Sequence, residues 1–254
     1  MKFSFGVMTN NMMRLDMVLR KSEIDPALPC HTIKNPDSAT KGLNRLLRII
    51  EAEGADVAIL VHHDMYFRRG WMKQVEEQLR LLPKDWIVAG IVGKDHDGNY
   101  GGRFHDMRTP LHFNRVDITY PLPAICFDEC VIIVNLKTGF RFDETLEGFD
   151  LYGTMAVCLA WEMGGSAWII DAFAEHYCSR SFDWMPDKKF EESFMWLHSR
   201  FPDAPRIDTT VLGVPQKGDP PRWDRTGEAL QEQIAAHGEA LAAADNGESR
   251  VVQP

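Results

Sequence analysis

No apolar run in this 254-residue chain is longer than a strand. A membrane-spanning helix, which needs about 20 consecutive apolar residues, is therefore not expected, although peripheral membrane contact stays open. Cysteine is scarce and unpatterned: Cys30, Cys126, Cys130, Cys158 and Cys178 are odd in number and include no Cys-x-x-Cys pair. Zinc knuckles and dithiol redox motifs are excluded, and reduced thiols in a cytoplasmic protein are the expectation. Positive charge is also short, with 28 Lys and Arg against 37 Asp and Glu, a net −9. A broad nucleic-acid surface needs clustered Lys and Arg, so nucleic acid is not an expected partner. A single diphosphate is not excluded, because a bound cation or a helix N-terminus can hold one inside an acidic protein. The opening residues Met1 to Gly6 carry one charge and no long apolar stretch, so no secretory leader is expected.

The hydrophobic fraction, 44%, and the charged fraction, 26%, are those of an ordinary soluble globular chain. Such a length can bury enough apolar surface to fold without a disulfide or structural metal. Phe3 to Met8 reads as a buried strand running into Thr9-Asn10-Asn11, and Cys30 to Ile33 as a second, ending near Asn35-Pro36-Asp37-Ser38. Leu43, Leu46, Leu47 and Ile50 have helical spacing, with Asp37 or Ser38 as N-cap and Gly54 as stop. Val57 to Val61 is a continuous apolar run, as in a strand covered on both faces. A helix after Gly70 turns Trp71, Val75, Leu79 and Leu82 inward, and Trp86 to Val92 is the next strand. Residues 94–124, rich in Gly, Pro and charge, read as an irregular functional excursion. Val131 to Val134 and Ala167 to Ile170 read as further strands, Asp150 to Met163 as an apolar helix, and residues 182–212 as a short helix and loops. From about Thr226 the chain reads as a solvated helix and a loose tail.

Alternating strand and helix over the first 93 residues predicts an α/β protein with a Rossmann-like sheet flanked by helices. Ligands on such sheets bind beyond the carboxyl ends of the strands. Thr9, Asn10, Asn35 and Asp64 all fall at such ends. A carboxylate at that edge could meet a diphosphate and its divalent cation, since Mg²⁺ and Mn²⁺ favour carboxylate oxygens. His176, just past a later strand, could be a second protein ligand. The plainer alternative is that Asp64 caps the segment after it and His176 is a satisfied surface histidine.

Several segments carry a resemblance. They are Asn35 to Asn44, Val61-His62-His63-Asp64-Met65-Tyr66, Gly70-Trp71, Val88 to Gly93, Phe142-Asp143-Glu144, Gly148 to Gly153, Cys158 to Ala160, and His176. In order and spacing they resemble a bacterial group of family-2-like glycosyltransferases over roughly residues 3–180, with His-x-Asp in place of Asp-x-Asp. The resemblance implies a GT-A (nucleotide-diphospho-sugar transferase) fold with a mixed sheet. Residues 1–225 would form that domain, 1–93 as the nucleotide-binding half and 94–225 as the acceptor-binding half, with a helical or disordered tail at 226–254. It also implies a metal-dependent transferase that moves a hexose-type sugar from a nucleoside diphosphate, with UDP favoured, to an acceptor hydroxyl. The acceptor would be a glycan, lipid-linked or protein acceptor, and the cation Mn²⁺ or Mg²⁺. Asp64 would ligate the metal and His62 would face the ribose or diphosphate. Thr9 and Asn10 would meet the uridine or guanosine, Asn35 or Asp37 the base, and His176 the metal or diphosphate.

An inverting transfer needs a carboxylate to take the acceptor's proton. Asp150, at a helix start where the dipole favours its ionised form, is the expected base, with Glu147 and Asp143 as alternatives and a helix N-cap as its plain role. Related sequences often carry an acid a few residues further on, where this chain has Thr154 and Met155. Two other functions fit parts of the pattern. A nucleotidyltransferase normally places a Gly-rich basic loop after the first strand, where this chain has Thr9-Asn10-Asn11-Met12-Met13. A non-catalytic GT-A-like module that binds a glycan or partner fits the absent acid at Met155.

Overall fold

A computed structural model describes residues 1–106, 112–114, 118–177 and 188–210. The expected tail at 226–254 lies outside the described residues, as do Cys178 and part of the 182–212 segment. Among the described residues, twelve strands run in chain order: β1 (Phe3–Thr9), β2 (Cys30–Lys34), β3 (Val57–His62), β4 (Met65–Tyr66), β5 (Trp86–Gly90), β6 (Val92–Asp95), β7 (Tyr100–Asp106), β8 (His112–Asn114), β9 (Leu122–Phe127), β10 (Val131–Asn135), β11 (Ser166–Ile169) and β12 (Ala174–His176). The helices are α1 (Met12–Met17), α2 (Ala39–Ala52), α3 (Trp71–Leu79), α4 (Tyr152–Glu162) and α5 (Lys188–Arg200).

The strands form one mixed sheet in the order β2-β1-β3-β10-β5-β11-β9-β6-β7-β12-β4, with β8 beside β7. Its first part is the expected parallel unit: β1 pairs parallel with both β2 and β3. β10 then enters antiparallel between β3 and β5. Alternate residues of β3 feed two cores. Ala58 and Leu60 join Leu43, Leu46, Leu47 and Ile50 of α2 and the buried face of α4. Val57, Ile59 and Val61 join Phe5, Trp71, Val75 and Leu79 on the other face. Each fully buried Leu or Ile contributes about 1.5–3 kcal/mol, so the continuous apolar run of β3 is what two-sided coverage requires. Every residue of α4 from Tyr152 to Ala160 is buried, which is why it lacks a polar stripe.

The expectation of an irregular excursion at 94–124 is corrected: β7 and β8 lie within it, β6 leads into it and β9 leads out of it. Two of its glycines, Gly101 and Gly102, sit inside β7. Gly102 has φ +121, and a Cβ there would lie 2.2 Å from the Ile91 carbonyl oxygen, so only glycine lets β7 lie this close to the chain before β6.

The curl of the sheet matters for function. β3 and β4 are separated by His63 and Asp64, yet they stand far apart in the strand order. Short β4 pairs antiparallel with β12, placing Met65 opposite His176. The end of β3 and the end of β12 therefore meet at one point of the sheet edge.

Candidate metal and nucleotide site

That meeting point brings His62, Asp64 and His176 together. One ligand atom from each lies within 4.8 Å of the others. His176 Nε2 is 3.2 Å from Asp64 Oδ1, and both side chains are buried. The backbone helps to hold the arrangement: Tyr177 N–H donates to the Asp64 carbonyl, and His62 N–H to the Cys130 carbonyl. His62 Nε2 lies 2.9 Å from the Tyr152 hydroxyl, which also donates to the Glu129 carbonyl at 3.5 Å.

The electrostatics suit cation binding. Burial raises the Asp64 carboxyl, but the hydrogen bond from His176 and the nearby imidazoles outweigh it and hold Asp64 below the usual carboxylate range. Burial and the neighbouring His176 push His62 down to about 4, against the attraction of Asp64 and Asp128. At neutral pH the site thus offers a carboxylate and a neutral imidazole, the forms that ligate metals.

The other expected residues lie at or near the same edge. Thr9, Asn35 and His62 stand at the ends of parallel β1, β2 and β3. Thr9 is buried, and its hydroxyl accepts from Asn11 N–H. Its carbonyl accepts from Asn35 N–H, and Asn35 has a left-handed φ of 45°. Asn10, Asn35 and Asp37 are exposed. Ser38, not Asp37, caps α2. On the far side, the N-cap of α4 is Leu151 with φ +64, so half-buried Asp150 precedes the cap instead of forming it. Strained non-glycine backbone of this kind concentrates at functional sites. Asp143 is bound to Arg200 and Thr145, and Glu147 is exposed.

Sequence reasoning missed Asp128 and Glu129, the turn between β9 and β10, because β9 was not recognised as a strand. A pair of acids between two apolar runs was the available signal. β10 runs antiparallel to β3, with Val131 opposite Val61, so this turn lies beside His62. Burial, then the charges of Asp128 and Asp150, push the Glu129 carboxyl up to about 8, although N–H groups including that of Gly153 favour its ionised form. The unfolded chain releases that proton near 4.5 while the folded chain keeps it to about 8. Stability is therefore fully present below the lower value and lost as pH rises through the higher one. Glu129→Gln is expected to remove this loss and to melt roughly 3 °C or more above wild type at the alkaline end, in metal-free buffer. Parallel curves of melting temperature against pH for the two proteins would contradict it.

The sheet order and flanking helices are those of the GT-A glycosyltransferase fold. Comparison with solved structures shows the same. GalNAc-T7, solved with UDP, GalNAc and Mn²⁺, superposes with a TM-score of 0.53 at 11% identity, covering 78% of this chain and 47% of that one. TarS 1–349 from S. aureus, solved with UDP-GlcNAc, gives 0.50 at 13% identity, covering 81% of this chain and 68% of that one. This chain thus spans about half of the GalNAc-T7 chain. No protein-family model matches the sequence. No curated protein matches it either. Among the described residues, no helix is long and apolar enough to cross a membrane.

Proposed function

We propose that the chain is a metal-dependent glycosyltransferase of the family-2-like kind, transferring a sugar from a nucleoside diphosphate, with UDP favoured, to an acceptor hydroxyl. The observation that carries this reading is the His62, Asp64 and His176 cluster at the ligand edge of a GT-A sheet. His62 moves from the nucleotide to the metal in this reading. Two imidazoles and one carboxylate on one side of a cation leave further positions for phosphate oxygens and water. His176 Nε2 and Asp64 Oδ1, 3.2 Å apart, would be near enough to hold one cation together. Two imidazoles fit Mg²⁺ poorly, because it keeps a shell of oxygen ligands and water, and Mn²⁺ is the cation of this reading. When bound, the cation offsets charge on the departing diphosphate.

The other residues divide the remaining work. Thr9, Asn10, Asn35 and Asp37 line the edge where the nucleoside would lie. Asp150 receives the acceptor's proton as the hydroxyl oxygen attacks the anomeric carbon and the diphosphate leaves with the bonding electron pair, an inverting displacement. The neighbouring solved structures, one with UDP and Mn²⁺ and one with UDP-GlcNAc, support this choice of donor.

Calorimetry of UDP and GDP, each with and without Mn²⁺, tests the reading. UDP is expected to bind with Mn²⁺ and to lose most of its affinity without it. If neither nucleotide binds in the presence of Mn²⁺, the proposal fails.

A further inference from the structure

We propose that Tyr152 is a positioning residue for the cation: its hydroxyl holds the His62 ring by Nε2 and leaves Nδ1 as the nitrogen available to a cation shared with Asp64 and His176. The inference rests on the metal reading above and adds a residue from outside the ligand cluster. Tyr152 is the first residue of α4 and is 4% exposed. A tyrosine hydroxyl has one hydrogen and can also accept. The Glu129 carbonyl, 3.5 Å away, is an acceptor that can take the Tyr152 hydrogen. With its hydrogen placed there, the oxygen of Tyr152 is left to accept from His62 Nε2–H at 2.9 Å, the direction the proposal requires. With its proton on Nε2, His62 keeps a lone pair on Nδ1, and a lone pair is what a metal ligand must present.

The assembly is rigid for a second reason. The turn that takes the Tyr152 hydrogen also holds the His62 backbone, since His62 N–H donates to the Cys130 carbonyl at 3.1 Å. Ring and backbone of His62 are thus fixed by adjacent carbonyls, those of Glu129, through Tyr152, and of Cys130. A partner on the far nitrogen of a metal-bound histidine sets its tautomer and orientation, and losing such a partner commonly costs 10- to 100-fold in metal affinity.

Electron paramagnetic resonance of free Mn²⁺ measures the affinity directly, without any substrate, on the full chain near neutral pH. Tyr152→Phe keeps the ring and removes the hydroxyl. It is expected to weaken Mn²⁺ binding about tenfold. His62→Ala is expected to weaken it at least as much. Adding Tyr152→Phe to His62→Ala should change nothing further, because Tyr152 acts through that imidazole. Wild-type affinity in Tyr152→Phe overturns the proposal, and so does a tenfold loss that persists in the His62→Ala background. A wild-type protein that binds no Mn²⁺ overturns the metal reading itself and the proposal with it. Nitrogen-15 spectra of the wild-type histidines give a check that needs no variant. Metal-free His62 is expected as the Nε2–H tautomer, and the Nδ1–H tautomer would refute the assignment.

Discussion

Asp64→Asn is expected to abolish Mn²⁺-dependent UDP binding, with affinity falling at least about 100-fold, or about 2.8 kcal/mol. The carboxylate is the only anionic ligand in the cluster, and it is held ionised by its surroundings. An amide of the same shape keeps an oxygen that His176 can still meet, but it removes the charge that opposes a divalent cation. Folding should survive, because the pair with His176 is replaced by a neutral hydrogen bond and not by an orphaned polar atom. The acid response should change as well. A depressed carboxyl contributes stability that is present above its ordinary value and is lost as pH falls through the folded one, so the variant should lose less stability in acid than wild type. Calorimetry with UDP and Mn²⁺, with a thermal melt of each protein, checks both statements. Retained Mn²⁺-dependent binding in Asp64→Asn would place the cation elsewhere.

This residue was legible in the sequence, and the reason is physical. Val57 to Val61 is apolar without interruption, so the polar residues after it had to lie at a strand end. β1, β2 and α2 were legible for the same kind of reason, apolar runs closed by Asn, Pro or Gly. His176 was anticipated as a ligand from its place just past a later strand and from the resemblance, but its contact with Asp64 was not visible locally, because it depends on the curl that pairs β4 with β12. Nothing local to the two-residue β4 announces that pairing. β6 and β7 were obscured by their own glycines. Gly101 and Gly102 read as loop, whereas Gly102 serves close backbone packing. With β9 unread, the Asp128 and Glu129 turn had no place in the fold. The aromatic ring of Tyr152 lies inside the segment Gly148 to Gly153 that carries part of the resemblance, but its partner is 90 positions away and only the folded chain shows it.

Gly153→Ala is expected to destabilise the protein by about 3 kcal/mol, although helix propensity alone predicts a gain of about 1 kcal/mol from replacing glycine with alanine. Packing decides the sign. A Cβ on Gly153 would lie 2.5 Å from the Phe127 carbonyl oxygen and 3.1 Å from its carbon. Both are backbone atoms of β9, so no side chain can rotate away, and either α4 or β9 must move. For a chain of this size the loss corresponds to a fall of roughly 6–12 °C in melting temperature. The shift would also reach the site. Gly153 N–H meets the Glu129 carboxyl, and the preceding residue is Tyr152, whose hydroxyl holds His62. Displacing the first turn of α4 should therefore weaken Mn²⁺ binding in whatever fraction of the variant stays folded. Stability and metal affinity fall together because the same close approach of α4 to β9 supports both. A melting temperature for Gly153→Ala equal to or above that of wild type would show that α4 is free to shift, and would remove the rigid frame on which the positioning of His62 depends.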